Sequence, residues 1–149
     1  MQVFAIAPAT IKGIYLLWGI VLLAMTVAIG AVAFATTGAR MSRFEVSSEG
    51  LRLRGDLYGR LIPLSELRID SARRVSLDAD PDLAPRRRTM GTGLPGYQAG
   101  WFRLRNGEKA LLYLTDRSRA VYVPTTSGYS VLLSPADPDA FLRALTTAR

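Results

Sequence analysis

The N-terminal part of the chain contains one long apolar stretch in which no residue is charged. This stretch, Gly13–Ala35, would be about 34 Å long as an α-helix, enough to cross the roughly 30 Å hydrocarbon layer of a bilayer. Tyr15 and Trp18 lie near its first end, where amphipathic aromatic rings favour the membrane interface. The pattern therefore predicts a transmembrane anchor bounded by Gly13 and Ala35.

Two other interpretations of the apolar stretch compete with the anchor. Ala33-Phe34-Ala35 fits the small-x-small cleavage pattern of a signal peptide, although the apolar core of a signal is shorter, about 7–15 residues. A hairpin of two membrane helices would need more residues than 12–39 supply. One face of the predicted helix carries a row of alanines: Ala24, Ala28, Ala31 and Ala35. Small residues let a second helix approach closely, so this face could support self-association.

The basic residues beside the anchor predict its direction. Lys12 alone precedes the stretch, whereas four arginines follow it within about twenty residues: Arg40, Arg43, Arg52 and Arg54. Basic flanks stay on the cytoplasmic side of a membrane. We therefore expect the C-terminal part of the chain in the cytoplasm.

From Arg43 onward, apolar residues alternate with polar ones at the period of two that is typical of β-strands. Turn residues between such runs indicate three hairpins, at Ser48–Gly50, Asn106-Gly107 and Thr126–Gly128. Seven or eight short strands at this spacing predict a β-sandwich or a small barrel.

Two further segments complete the predicted domain. Asp78–Gln98 is rich in proline, glycine, aspartate and arginine, and we expect a loop of about twenty residues there. Near the end, Ser134 and Asp137 have the spacing of a capping box, with Pro135 at the first helical position. This pattern predicts a C-terminal amphipathic helix that begins at Pro135.

The chain resembles the bacterial pleckstrin-homology (PH)-like membrane proteins in three stretches: FEVSSEGLRLRGDLYGRLIPLSEL (Phe44–Leu67), GWFRLRNGEKALLYLT (Gly100–Thr115) and YSVLLSPADPDAFLRAL (Tyr129–Leu145). The resemblance implies a mainly β fold: a PH-like barrel of about seven antiparallel strands, capped by a C-terminal α-helix and preceded by one transmembrane helix. It also implies a membrane setting, but no defined activity. We expect that membrane to be the bacterial inner membrane. The expected organisation is a short N-terminal segment (1–12), the helix with a juxtamembrane linker (13–39) and the PH-like domain (40–149).

The composition excludes several kinds of catalysis. The chain has no histidine and no cysteine, which removes Ser-His-Asp and Cys-His catalysis and the usual zinc sites. We therefore expect no enzyme, no cofactor and no metal. The net charge of +7 lies almost wholly after residue 39, so the predicted domain is basic and would be drawn towards anionic headgroups.

Two short motifs resemble known ligand sites but lack their context. Gly91–Gly96 matches G-x-G-x-x-G, yet Pro95 interrupts it and no helix follows, so we expect a glycine-rich turn. Asp78–Asp82 resembles the start of a calcium loop, but Leu83 stands where the turn glycine is needed. We expect no small-molecule substrate and, in the absence of a known motif, no nucleic acid.

The candidate binding residues are three consecutive arginines, Arg86, Arg87 and Arg88, with Tyr97 and Trp101 after them. Arginines can pair with phosphate or carboxylate through two hydrogen bonds. Eukaryotic PH domains bind phosphoinositides at an earlier loop, whose equivalent here has only Arg54 and Arg60 as basic candidates. We expect a non-enzymatic, membrane-anchored module for protein interaction or self-assembly; the alternative is anionic-lipid headgroup binding through Arg86–Arg88.

Overall fold

A computed structural model of the protein describes residues 12–55 and 57–149, with the side chains of residues 12 and 34–41 also outside the description. The predicted N-terminal segment therefore falls almost entirely outside the described residues. By its contacts the chain divides into two units, Met1–Phe34 and Ala35–Arg149, and each is described by itself.

The first described element is a long apolar helix, α1 (Lys12–Met41). Its segment Gly13–Ala33 has a mean hydropathy of 2.4, and its side chains are exposed rather than packed in a core. The helix is thus long and apolar enough to span a membrane, as predicted. A signal sequence near an N-terminus shares these features. The helix also continues through the residues predicted as a juxtamembrane linker.

The domain begins with a three-stranded antiparallel sheet in the order β1-β2-β3. These strands are β1 (Arg43–Ser47), β2 (Gly50–Arg54) and β3 (Leu61–Pro63). The predicted first hairpin is confirmed, since Val46 pairs with Leu51 across the turn. A single 3-10 turn, Leu64–Glu66, then leads away from the sheet.

A second sheet contains six strands in the order β4-β8-β9-β7-β6-β5. They are β4 (Arg73–Val75), β5 (Pro85–Leu94), β6 (Tyr97–Leu104), β7 (Lys109–Leu114), β8 (Ala120–Pro124) and β9 (Ser130–Leu133). The other two predicted hairpins, β6–β7 and β8–β9, are confirmed. The mainly β, PH-like fold is confirmed as well, with nine described strands rather than about seven, and with β7 and β9 parallel.

The prediction of a twenty-residue loop at Asp78–Gln98 is wrong. Half of that segment is β5, which pairs with β6 over most of its length and leaves only Pro95-Gly96 as the turn between them. β5 lies at the edge of its sheet and its side chains are largely exposed, so it lacks the apolar alternation by which the other strands were recognised.

The core lies on both faces of the six-stranded sheet. One face packs on the first sheet and on the last helix through residues such as Leu51, Leu111 and Leu145. The other face is covered by the chain that leads into β5, where Leu77 and Leu83 meet Leu112 and its neighbours. Because the central strands are buried on both faces, they are apolar almost without interruption.

The last element is α2 (Pro138–Ala148). Its N-cap is Asp137, whose carboxylate accepts hydrogen bonds from the backbone N–H groups of Asp139 and Ala140 at 3.0 and 2.9 Å. The predicted start at Pro135 with Ser134 as the cap is therefore wrong. The hydroxyl of Ser134 donates instead to the carbonyl of Asp116 at 2.8 Å, because the chain is still extended there.

Candidate functional site

The three candidate arginines lie on the edge strand β5 rather than in a loop, and all three are exposed. Arg87 stands opposite Arg103 of β6, and Arg88 stands opposite Phe102. The register shifts between Pro85 and Arg87, so Arg86 is an extra residue of the kind found in a β-bulge. Among the described residues, none of the three arginines forms an ion pair.

Neighbouring strand residues alternate between the two faces of a sheet, so Arg87 and Arg88 point to opposite faces. A Cβ atom at Gly93 would lie 3.7 Å from the Nη1 atom of Arg88 and 3.8 Å from the ring of Phe102. Arg88 therefore extends along the face that carries Phe102, while Arg87 shares its face with Arg103.

The structure separates Tyr97 from these arginines. Tyr97 is only 5% exposed and pairs with Leu94 at the far end of the β5–β6 hairpin. Its hydroxyl lies 3.3 Å from the hydroxyl of Ser42. Tyr97 is thus a core residue. It does not lie beside the three arginines, because in the β5–β6 hairpin it is about five residues further along the sheet than Arg88.

Trp101 is the candidate that the structure surrounds with charge. Its half-buried ring meets Tyr129 edge to face, with the ring centroids 5.1 Å apart. The Arg60 guanidinium carbon lies 4.8 Å from the Trp101 ring centroid, and the Lys109 Nζ lies 4.4 Å from it. Both distances are within the range of a cation–π interaction.

These two cations come from different sheets. Arg60 continues the β2–β3 ladder, since its carbonyl accepts a hydrogen bond from the Leu53 N–H at 2.8 Å. Lys109 is the first residue of β7 and pairs with Arg103. The approach of Arg60 and Lys109 to Trp101 could not be predicted from the sequence, because it depends on how the two sheets pack.

The remaining basic candidate near the loop of the eukaryotic lipid site is engaged elsewhere. The Nε atom of Arg54 lies 3.2 Å from a carboxylate oxygen of Glu45 on the paired strand. With Arg60 over Trp101, both basic residues that flank this loop therefore have other contacts.

The glycine motif belongs to the β5–β6 hairpin. Gly91 and Gly93 lie within β5, and only Pro95-Gly96 forms a turn, so the expectation of a glycine-rich turn over the whole motif is wrong. Gly91 pairs with Gly100, and both have positive φ, at 148° and 112°. These glycines serve strand pairing, since a side chain at either one would meet the opposite backbone.

Two of the three aspartates of the failed calcium motif are paired with arginine. Arg73 donates to Asp80 at 3.2 Å and Arg117 lies 4.0 Å from Asp78, while Asp82 is exposed. Among residues 12–55 and 57–149, no group of three potential metal ligands comes together.

A cleft of about 520 Å³ lies beside the β5–β6 turn, lined in part by Gln98, Asp116 and Ser118. Hydrogen bonds from the hydroxyl and backbone N–H of Ser118 hold the pKa of Asp116 below its usual value. Within the described part of the chain, the buried Oε1 atom of Gln98 has no hydrogen-bond partner.

Comparison with known proteins agrees with this architecture. The sequence profile of the bacterial PH domain matches residues 42–148, which cover all nine described strands and the whole of α2. No curated protein and no solved structure shows a significant match to the chain. By its fold and by the extent of this match, the chain belongs to the bacterial PH domain family.

Proposed function

We propose that this protein is a non-enzymatic, membrane-anchored module that docks an acidic segment of a partner protein along β5. The observation that carries the proposal is the edge position of a ten-residue strand bearing three exposed arginines that have no ion pair within the described residues. PH-like domains are generally non-catalytic, and this one follows a helix that can serve as an anchor.

An edge strand presents backbone N–H and C=O groups that an extended segment can pair with. Arginines on such a strand oppose pairing with a like-charged edge, which is a common protection against self-association. A second copy would bring Arg86–Arg88 against the same charges, whereas an acidic segment would neutralise them. The charge of β5 therefore favours a different, acidic partner over self-assembly at this edge.

Photo-crosslinking of the full chain in native membranes tests the docking proposal. A photoreactive residue at Met90, which is 62% exposed on β5, should give one discrete adduct with a partner. The triple variant Arg86→Gln, Arg87→Gln, Arg88→Gln should weaken that adduct about tenfold, since three exposed ion pairs contribute roughly 0.5 kcal/mol each.

The matched control removes the same charge elsewhere. Arg68→Gln, Arg105→Gln and Arg143→Gln change three exposed arginines outside β5 and should leave the adduct unchanged. Equal crosslinking by the β5 triple variant and the parent would refute docking through these arginines.

A second candidate function is binding of anionic headgroups by the same arginines. It is favoured by the anchor helix, since each well-placed basic residue near an anionic surface contributes about 1 kcal/mol. Hydrogen exchange of β5 in the full chain would be compared between nanodiscs of phosphatidylcholine and nanodiscs that also contain phosphatidylglycerol. Lipid binding requires slower exchange with phosphatidylglycerol, and the triple β5 variant should lose that slowing.

The proposed location is the bacterial inner membrane, with the domain in the cytoplasm. It is supported by the excess of arginines after the apolar stretch Gly13–Ala35 over the single Lys12 before that stretch. Reporter fusions after Arg149 test this direction, and activity of a reporter that works only in the periplasm would contradict it.

A further inference from the structure

Four basic residues converge on one end of the six-stranded sheet. Arg87, Arg103 and Lys109 form a row across β5, β6 and β7, because Arg87 pairs with Arg103 and Arg103 pairs with Lys109. Residues paired directly across strands share a face of the sheet, so the three side chains project on the same side. Arg60 approaches this face from the first sheet, over the ring of Trp101.

This arrangement places like charges close together. Arg60 and Lys109 each lie within 5 Å of the Trp101 centroid, so their charged groups are no more than about 10 Å apart. Like charges directly opposite each other on neighbouring strands are unfavourable. The ring of Trp101 stabilises two of the cations only in part.

No carboxylate of the described residues forms an ion pair with any of the four cations. Glu108 is adjacent in sequence to Lys109, but its carboxylate accepts a hydrogen bond from the Tyr122 hydroxyl at 3.0 Å. Tyr122 packs against the core cluster on the opposite face of the sheet, so this hydrogen bond directs the Glu108 carboxylate away from the row. The guanidinium of Arg103 donates at 2.7 Å to the carbonyl of Gly107, which fixes its position without neutralising its charge.

The location of the row suits a small ligand. Tyr113, four residues along β7 from Lys109, lies beside Phe44, which in turn contacts Phe141 of α2. Four strand residues span about 13 Å, so the helix packs near one end of the sheet and the cations gather towards the other. At this charged end the partly buried rings of Trp101 and Tyr129 pack against each other and against the core.

We propose that Arg60, Arg103 and Lys109, with Arg87 at the margin, form a binding site for a phosphate group beside Trp101. Two cations that hold one phosphate through charge-assisted hydrogen bonds of about 2.8 Å are separated by roughly 8 Å, which the bound of about 10 Å permits. A tetrahedral anion offers oxygens to donors from both sheets at once. The site goes beyond the docking of a partner at β5, since it lies on the face of the sheet and its central cations are on other segments.

The chain offers an internal reporter for this site. It has two tryptophans, so Trp18→Phe leaves Trp101 as the single source of tryptophan emission. The full chain in neutral detergent micelles would be titrated with inorganic phosphate, with sodium chloride at matched ionic strength as the comparison. Phosphate binding predicts a saturable change in Trp101 emission that chloride does not produce.

Variants locate the response. Arg60→Gln and Lys109→Gln, each in the Trp18→Phe background, should raise the phosphate midpoint about tenfold, whereas Arg143→Gln on the exposed side of α2 should not. Circular dichroism of each variant checks the fold. Responses of the Arg60 and Lys109 variants equal to that of the parent would overturn the proposal, whatever happens at β5.

A second arm separates free phosphate from a lipid headgroup. The same emission is compared between phosphatidylcholine nanodiscs with and without phosphatidic acid, in buffer free of phosphate. A response in micelles with inorganic phosphate supports a soluble phosphate ligand, and a response confined to phosphatidic acid nanodiscs supports a headgroup. Absence of both responses refutes the site.

Discussion

Gly91 and Gly100 face each other where β5 and β6 approach closely, and replacing Gly91 by alanine should separate the two strands. A Cβ atom added at Gly91 would lie 2.2 Å from the carbonyl oxygen of Ala99 and 2.9 Å from the Cα of Gly100. Both contacts are with backbone, so no side-chain rotation relieves them. The φ of 148° at Gly91 is also one that residues with a side chain rarely adopt.

The free-energy cost of Gly91→Ala has two parts, the unfavourable φ and the clash of the new Cβ atom with the β6 backbone. Holding a non-glycine residue in such a conformation costs about 1–3 kcal/mol. Relief of the clash requires β5 to move by about 1 Å, towards ordinary contact distances, which weakens the neighbouring ladder hydrogen bonds at about 1 kcal/mol each. We expect opening of the β5–β6 ladder to become easier by roughly 2–3 kcal/mol, or about 30- to 150-fold in exchange rate.

Hydrogen exchange measured by mass spectrometry on the full chain in micelles gives the test. Gly91→Ala should accelerate exchange in β5 and in the facing part of β6, while the central strands, buried on both faces, keep their protection. Gly93→Ala is the matched control, because its Cβ would lie 3.7 Å or more from its neighbours and its φ is not positive. Such a substitution should stabilise by about 0.4–1 kcal/mol.

Two outcomes would refute this reasoning. Unchanged exchange in β5 after Gly91→Ala would show that the close approach does not constrain the strand. Equal acceleration by Gly93→Ala would show that any added methyl group has the same effect, independent of the contacts at Gly91.

Three further predictions concern stability of the full chain in micelles. Leu132→Ala, at a fully buried position, should lower the free energy of unfolding by about 2–5 kcal/mol in urea titrations, and a loss below 1 kcal/mol would contradict its central role. The hydrogen bond from the Ala140 N–H holds the pKa of Asp137 below its ordinary value of 3.8. The ionised cap therefore stabilises α2 above pH 3.8, and this contribution is lost as the pH falls through the lowered pKa. Asp137→Asn should remove that acid dependence but keep a cap, whereas Asp137→Ala should lower the urea midpoint at neutral pH. Burial and the neighbouring Glu108 raise the pKa of Tyr122 above 10.0, so stability should fall as pH rises above 10, and Tyr122→Phe should remove that contribution.

Local signals in the sequence were sufficient for the hairpins. Asn106-Gly107 gives the residue of positive φ that its turn requires, and the flanking runs alternate as strands do. β5 gave no such signal because an edge strand is defined by its backbone pairing, and its side chains face water. The predicted start of α2 was wrong because the sequence has two possible starts. Ser134-Pro135 and Asp137-Pro138 each combine a residue suited to the N-cap with proline at the first helical position.

The candidate site could be predicted only in part for a similar reason. Trp101 and the arginines were visible as residue types suited to anions. Arg60, Arg103 and Lys109 come together through strand register and through the packing of one sheet on the other. Strand register and sheet packing both depend on contacts between segments tens of residues apart. Such contacts cannot be inferred from composition or from short motifs.

The proposed membrane anchor bears on how strong the proposed interactions need to be. A few exposed ion pairs contribute so little that β5 alone would hold a freely diffusing partner only weakly. A domain fixed to a membrane meets ligands in that membrane at an effective concentration on the order of mM when the connection is short. Here only Ser42 separates the end of α1 from the start of β1. Weak, reversible contacts at β5 and around Trp101 would then suffice for binding. The edge strand β5 can therefore keep its exposed arginines, whereas a more apolar edge would bind more tightly but would also favour aggregation.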